Sequence, residues 1–192
     1  MFDGVDCVFH LAAFSRIQIA MKNPDACLEV NYIGTNNLLK CAVEAGVKRF
    51  VNSSTSSSYG LANTPPLKED MPTDCLNPYS ASKVGADILC QMYSKLHGLS
   101  TVTLRYFNVY GPRQPLKGTY APVIGLFEEQ KKARKPCTIV GDGEQRRDFT
   151  HVSDVVEANM CAMQTNCNGV FNIGTGKNHS VNDIAKLVNN PY

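Results

Sequence analysis

The sequence lacks the long apolar runs that would place it in a membrane. No stretch approaches the roughly 20 apolar residues that a helix needs to cross a bilayer. The N-terminus has no basic region followed by an apolar run, so no signal peptide is expected. A strong charge bias is missing too, since the net charge is +2 over 192 residues and no basic stripe occurs. These absences predict a cytoplasmic protein that has neither a membrane nor nucleic acid among its partners.

Patterns that mark metal sites and disulfide frameworks are also missing. The 8 Cys are scattered, with no Cys-x-x-Cys pair, and the 4 His show neither His-Glu-x-x-His nor a Cys/His cluster. Several cysteines (Cys7, Cys41 and Cys90) lie in apolar periodic segments. We therefore expect reduced core cysteines and no metal site.

What is present is an alternation of strand and helix patterns. Apolar segments at 6–13, 47–52 and 99–107 predict strands, and 3.6-residue periodicity predicts helices at 24–45 and 79–97. This order predicts an α/β fold with a parallel sheet and right-handed crossovers. A sheet of this type normally starts with a strand that carries a Gly-rich phosphate turn, yet neither Gly-x-Gly-x-x-Gly nor Gly-x-x-Gly-x-x-Gly occurs. The chain is therefore expected to be cut at both ends.

The pattern changes after residue 107. We predict a loop at 108–119, a helix at 120–133, a strand at 137–140, a helix at 153–164, a strand at 170–173, and a last helix that ends at 190–192. Ser180 and Asp183 have the spacing of a capping box for that last helix.

Tyr79 and Lys83 are four residues apart at the start of the helix predicted at 79–97. That spacing puts both side chains on one face, while Pro78 suits the first helical position and Asn77 the N-cap. Free tyrosine titrates near ~10, and an adjacent ammonium favours the phenolate. We therefore expect Lys83 to lower the pKa of Tyr79, so that the phenol can take a proton from an alcohol. The pair alone is a weak signal, because Tyr-x-x-x-Lys also arises by chance.

Polar residues follow each predicted strand. His10 to Ala13 end the first strand, Asn52 to Thr55 the second, and Arg105 to Asn108 the third. Ligands bind at the carboxyl ends of parallel strands, so these groups are expected to converge with Tyr79 and Lys83 on one cleft.

The chain resembles the extended short-chain dehydrogenase/reductase family, in its NAD-dependent nucleotide-sugar epimerase/dehydratase branch. The stretches that carry the resemblance are His10-Leu-Ala-Ala13, Asn31-Tyr-Ile-Gly-Thr35, Gly46-Val-Lys-Arg-Phe-Val51, Ser53-Ser-Thr-Ser-Ser-Ser-Tyr-Gly60, Tyr79-Ser-Ala-Ser-Lys83, Leu104-Arg-Tyr-Phe-Asn-Val-Tyr-Gly-Pro-Arg113, Gly141-Asp-Gly-Glu-Gln-Arg-Arg-Asp-Phe-Thr-His-Val-Ser-Asp154 and Phe171-Asn-Ile-Gly174. They occur in the family's order over nearly the whole chain. The members that it resembles most are the 4-epimerases of UDP-glucose and UDP-N-acetylglucosamine.

The resemblance implies a role for each matched residue. Thr55, Tyr79 and Lys83 would be catalytic, with Tyr79 as the base. The NAD-binding residues would be Leu11, Ala12, Ala13, Asn31, Ser53, Tyr79, Lys83, Tyr106 and Phe107. A UDP-sugar substrate would be held by Thr55, Asn108 and Arg147. Simpler roles compete with these: Asn31 can cap backbone groups, Phe107 can be core, one of Arg146 and Arg147 can be a solvated charge, and His10 and His151 suit structural positions.

The implied reaction is an epimerisation at C4 of a UDP-hexose. Tyr79 takes the proton of the 4-hydroxyl, C4 gives hydride to NAD, and the hydride returns to the other face of the 4-keto sugar. Dehydratases of the family carry an acid two residues before the Tyr-Gly pair, where this chain has Ser57. That serine counts against a dehydratase and, less strongly, against a decarboxylase, while a keto-sugar reductase stays open. A non-catalytic truncated domain is the alternative of another class.

The resemblance also implies a domain plan. Residues 1–117 would be the C-terminal part of the NAD-binding domain, within a partial doubly wound, Rossmann-like sheet. Residues 118–192 would be part of a smaller substrate-binding region, with 151–174 packing back on the first domain. Without the Gly-rich turn, this polypeptide is expected to bind NAD weakly or not at all. Family members pair through two helices, which predicts a homodimer through 24–45 and 79–97, with Cys27, Tyr32, Cys90 and Tyr93 facing outward.

Overall fold

The structure, a computed structural model, describes residues 2–116 and 121–189. It divides into two compact units: Met1–Tyr106 with Val156–Ile173, and Phe107–Val155 with Gly174–Tyr192. The domain boundary expected between 117 and 118 and the helix end expected at 190–192 lie outside the described residues.

The first unit is built on a parallel four-stranded sheet. Its strands, in spatial order, are β1 (Cys7–His10), β2 (Arg49–Thr55), β3 (Ser100–Tyr106) and β7 (Gly169–Ile173). All seven residues of β2 are buried, as expected for an inner strand covered on both faces. The predicted α/β class with a parallel sheet is confirmed.

Helices cover both faces of this sheet. Phe50 and Val51 alternate along β2 and therefore point to opposite faces. Phe50 packs in one cluster with Leu39 of α3 (Gly34–Glu44) and Leu89 of α4 (Pro78–His97). On the other face, Val51 shares a cluster with Ala162 of α6 (Val152–Gln164). This two-sided cover is the doubly wound arrangement that the sequence predicts.

The region predicted as one helix at 24–45 is broken into three. α2 (Pro24–Leu28) leads into a π-helical turn (Glu29–Ile33), which is followed by α3. The sequence pattern also missed α1 (Ile17–Lys22) and a 3₁₀ turn (Ser56–Tyr59).

α4 begins and ends where the sequence predicts. Pro78 is its first residue, and the Asn77 side chain accepts a hydrogen bond from Ser80 N at 2.9 Å. Gly98 takes the left-handed conformation, with φ 70°, and its N–H bonds the Ser94 carbonyl at 3.1 Å. These two caps fix the ends of the helix that carries Tyr79 and Lys83.

Among its described residues, the second unit contains two short sheets, two helices of its own, and the first turn of α6. The strand β4 (Asn108–Tyr110) pairs in parallel with β6 (Phe149–His151), and β5 (Arg146–Arg147) pairs antiparallel with β8 (His179–Ser180). Its core joins α5 (Val123–Lys132) to α7 (Val181–Asn189) through Ile124, Phe127, Val181, Ile184 and Ala185. The predicted capping box is present, since Ser180 N donates to Asp183 and Asp183 N donates to Ser180 Oγ, at 3.0 and 3.1 Å.

Two predictions for this unit are wrong. Residues 137–140 form no strand, because a side chain takes the place of a partner strand: Thr138 N donates to Gln130 Oε1 and Thr138 Oγ1 accepts from Gln130 Nε2. The predicted loop at 108–119 instead opens with β4, because Asn108 N bonds the Asp148 carbonyl at 3.0 Å and starts the pairing with β6.

Within residues 2–116 and 121–189, no helix combines the length and the apolar character that crossing a bilayer requires. The same residues hold no group of three or more His, Cys, Asp or Glu side chains that could bind a metal ion.

Candidate active site

The candidate site in the first unit lies where the parallel strands end. In the sheet register Thr55, the last residue of β2, is paired with Tyr106, the last residue of β3. Leu11 and Ala12, which follow β1, are exposed, and Ala13 is half-buried. The ends of β1, β2 and β3, with the residues of the first unit that follow them, therefore lie at one edge of the sheet.

Tyr79 and Thr55 face each other at this edge. Burial raises the pKa of Tyr79 above its usual value, while hydrogen bonding with the Thr55 hydroxyl acts in the opposite direction. The expectation that Tyr79 has a lowered pKa is therefore wrong for this chain, because the loss of hydration outweighs the favourable contacts.

Lys83 lies one turn beyond Tyr79 and is 2% exposed. Burial lowers the pKa of its ammonium, and the carboxylate of Asp87, one further turn along α4, opposes that effect. No hydrogen bond from Lys83 Nζ is found within the described ranges 2–116 and 121–189. A buried cation with open donor positions at the end of a parallel sheet is suited to a polar ligand.

Asn31 explains the break in the predicted helix. Its amide accepts from Phe14 N at 2.7 Å, donates to Phe14 O at 3.1 Å, and donates to Ser82 Oγ at 2.9 Å. It is 1% exposed and lies at the centre of the π-helical turn, a feature that often occurs at functional sites. Asn31 thereby ties the segment after β1 to the residue before Lys83.

Ser53 and Tyr106 hold each other at the same edge. Their hydroxyl groups are 3.1 Å apart, and Tyr106 also bonds Asn159 of α6.

His10 has a structural partner, since its Nε2 lies 2.8 Å from Thr35 Oγ1. Burial, followed by the charge of Lys83, lowers the pKa of His10 to about 4. A neutral histidine in this position fits the simpler, structural role.

Phe107, Asn108 and Arg147, the other site residues of the sequence analysis, belong to the second unit. Asn108 Nδ2 donates to the Asp148 carbonyl at 3.1 Å, and Phe107 is half-buried against Gly174. Arg147 is exposed, and in the described part of the chain its guanidinium bonds only the Arg146 carbonyl. Arg146 is instead tied to Asn178 and Asp183, which leaves Arg147 as the arginine with open donors.

The sequence analysis missed the acidic residue beneath the site. Asp87 is 1% exposed and contacts Ser54 and Arg105. A signal was available, because an aspartate four residues after Lys83 interrupts the apolar face of a helix, and Asp is almost never fully buried unless it is paired.

The model of the NAD dependent epimerase/dehydratase family matches residues 1–174. The chain belongs to this family. One relative is the UDP-glucuronate 4-epimerase of Thermodesulfobacterium geofontis, 37% identical over 96% of this chain and 56% of the relative. Another is the UDP-N-acetyl-alpha-D-glucosaminuronate decarboxylase of Bacillus cytotoxicus, 38% identical over 94% of this chain and 57% of the relative.

A solved structure agrees with the family assignment. The UDP-glucose 4-epimerase of Thermotoga maritima, determined with UDP-glucose, superposes with a TM-score of 0.91 at 38% identity, over 95% of this chain and 60% of that one. The chain therefore spans well under two thirds of the length of these relatives.

The residues at the sheet edge fit the NAD that the family uses. Lys83 offers an ammonium with open donor positions, Ser53 and Tyr79 offer hydroxyl groups, and the small side chains of Ala12 and Ala13 allow a close approach to the backbone.

Proposed function

We propose that this chain carries the catalytic centre of an NAD-dependent epimerase that inverts C4 of a UDP-hexose through a transient 4-keto sugar. The observation that carries the proposal is the joint placement of three groups. Thr55 ends β2, its hydroxyl acts on the pKa of Tyr79 near the start of α4, and the buried Lys83 lies one turn beyond Tyr79. Relatives named as 4-epimerases support the same reaction.

Each of the three groups has a separate task. The Tyr79 phenolate accepts the proton of the sugar 4-hydroxyl and later returns it. The Thr55 hydroxyl bonds the same sugar oxygen and keeps it beside the phenol. The Lys83 ammonium would donate to the cofactor ribose, and its charge would favour the phenolate against the burial that raises the pKa of Tyr79. NAD supplies the hydride acceptor and donor, and the protein supplies orientation and charge.

Further residues would bind the rest of the two ligands. Leu11, Ala12, Ala13, Asn31, Ser53, Tyr106 and Phe107 would contact the cofactor. Asn108 and Arg147 would bind the substrate diphosphate, because a planar guanidinium suits two phosphate oxygens.

A dehydratase needs an acid near the catalytic threonine, and this chain has serine at 56, 57 and 58. Ser57 is used locally, since its N–H donates to Thr55 Oγ1 at 3.1 Å. The serine counts less strongly against decarboxylation and leaves reduction of a keto sugar open, so the assay must distinguish both reactions from epimerisation by their products.

The test is turnover of UDP-glucose, UDP-N-acetylglucosamine and UDP-glucuronate with excess NAD, with products separated by chromatography. Tyr79→Phe should lower turnover by about 10²- to 10⁴-fold, the usual contribution of acid–base catalysis. Tyr93→Phe is a matched control on the same helix, because it removes only a hydrogen bond to Asn36. A C4 epimer made equally fast by Tyr79→Phe would refute the base assignment, and a wild-type chain without turnover would favour a non-catalytic domain.

We also propose that two copies of the chain pair through α4 and the segment Leu28–Ile33. Ile88, Met92 and Leu96 repeat every four residues on α4 and are 60%, 38% and 69% exposed. Leu28, Val30 and Ile33 are exposed as well. Of the residues expected on this surface, Cys27, Cys90 and Tyr93 instead point into the core, and only Tyr32 is exposed. An apolar row of this kind suits burial against an identical surface.

A further inference from the structure

Three charged side chains are buried together beneath the candidate site. Lys83, Asp87 and Arg105 are 2%, 1% and 5% exposed. One carboxylate is thus enclosed with two cations, and buried charges persist only when they are paired or hydrogen-bonded.

The Asp87 carboxylate joins α4 to two strands of the sheet. Oδ2 accepts from Ser54 Oγ at 3.0 Å and from Arg105 Nε at 3.4 Å, and Oδ1 accepts from Asn52 Nδ2 at 3.2 Å. Ser54 directly precedes Thr55. The carboxylate therefore anchors the end of β2 that carries Thr55.

The two cations depend on Asp87 to different degrees. Arg105 has other partners, because its Nη1 donates to Tyr59 Oη at 3.0 Å and its guanidinium lies 5.1 Å from the centre of the Tyr59 ring. For Lys83, the charge of Asp87 is the largest influence that raises the pKa against burial, ahead of the thiols of Cys90 and Cys27. Without Asp87, only the weaker influences of Cys90 and Cys27 would oppose the effect of burial on the pKa of Lys83.

We propose that Asp87 is a positioning residue of this site, which keeps the Lys83 ammonium charged and holds the β2 end that carries Thr55. The contribution of Asp87 to catalysis rests on the proposed function. Asp87 touches neither Tyr79 nor a ligand in this assignment. It acts through Lys83 and through Ser54.

Other titratable groups lie near the cluster, and their titration must be distinguished from that of Lys83. The charge of Asp87 also affects the pKa of Tyr79 and Cys90 on α4 and of Cys75 before that helix. The charge of Lys83 affects the pKa of His10 on β1. The readout must therefore report Lys83 itself.

The test measures the protonation of Lys83 directly, by nuclear magnetic resonance of the chain labelled with ¹⁵N-lysine. The Lys83 signal is assigned by its loss in Lys83→Arg. In Asp87→Asn, the Lys83 midpoint should fall by about 1 pH unit or more, because an opposite charge one helical turn away stabilises the charged form. Asp87→Glu, which keeps the charge, should restore most of the midpoint.

Thr101→Val is the matched control for lost packing. It removes a buried hydrogen bond from Thr101 Oγ1 to the Cys90 carbonyl of α4, 3.1 Å long, without changing a charge. Its Lys83 midpoint should equal that of the wild type. An unchanged midpoint in Asp87→Asn, or an equal fall in Thr101→Val, would overturn the proposal.

If Asp87→Asn does not fold, the wild type provides the test. Burial raises the pKa of Asp87 to about 6, so the Lys83 Nζ signal should move as the pH passes through that value. A Lys83 signal that does not respond to the titration of Asp87 would overturn the proposal. These titrations need neither cofactor nor substrate, so a failed turnover assay would count against the proposed function alone.

Discussion

Burial in the first unit lowers the pKa of His10 and raises the pKa of Asp87. Burial lowers the pKa of His10 to about 4, from 6.5, so between these values the unfolded chain binds more protons. The unfolding free energy therefore rises with pH through that window because of His10. Burial raises the pKa of Asp87 to about 6, from 3.8, so there the folded chain binds more protons and the unfolding free energy falls as pH rises.

We predict that the two effects largely cancel between pH 4 and pH 6 in the wild type. In His10→Asn, only the Asp87 effect remains, so the unfolding free energy should fall as pH rises from 4 to 6. In Asp87→Asn, only the His10 effect remains, so it should rise over the same range. Each change should amount to up to ~3 kcal/mol relative to the wild type. Urea unfolding followed by circular dichroism at several pH values measures both slopes. Equal slopes in all three proteins would contradict the assignment.

The depth of burial decides the direction in which the pKa of Tyr79 is shifted. A buried phenol loses hydration when it ionises, and this effect raises the pKa of Tyr79 although the Thr55 hydroxyl acts in the opposite direction. Sequence spacing places the two side chains on one face. It does not report how deeply they are buried, so the direction of the pKa shift could not be predicted.

At the scale of elements, two glycines with positive φ differ in what surrounds them. Gly98 ends α4 with φ 70° and has open space where a Cβ would lie. Gly60 follows the 3₁₀ turn with φ 57°, and a Cβ there would collide with the carbonyl oxygen of Asp74. The Asp74 carboxylate in turn accepts from Leu61 N and Ala62 N, each at 2.9 Å.

We predict that Gly98→Ala lowers the unfolding free energy by about 1 kcal/mol, the cost of a left-handed alanine. Gly60→Ala should cost clearly more, because Asp74 must also move and lose its contacts. Thermal and urea unfolding of both variants measure the difference. If Gly60→Ala were no less stable than Gly98→Ala, the packing described around Asp74 would be wrong.

At the scale of the whole molecule, the apolar row on α4 gives the homodimer proposal a direct test. The double variant Ile88→Glu, Leu96→Glu should convert a dimer into a monomer, because two charges on each copy would be buried at the interface. Leu61→Glu is the control, since Leu61 is 86% exposed and lies outside α4. Sedimentation velocity distinguishes the forms. A monomeric wild type, or a double variant that stays dimeric, would contradict the proposal.

The sequence by itself determined the features that depend on local chemistry. Asn77, Pro78 and Gly98 set the ends of α4, because caps and proline act on the adjacent backbone. The four-residue spacing put Tyr79 and Lys83 on one face, and the alternation of strands and helices predicted the parallel sheet.

Only the tertiary structure decided the features that depend on contacts between distant residues. Asn31 opens a π-helical turn because its amide meets Phe14 and Ser82, which lie far from it in the chain. Asp87 is held between α4 and the sheet because Ser54 of β2 and Arg105 of β3 donate hydrogen bonds to its carboxylate. Such hydrogen bonds and the depth of burial are set by packing across the sheet, which no local pattern encodes.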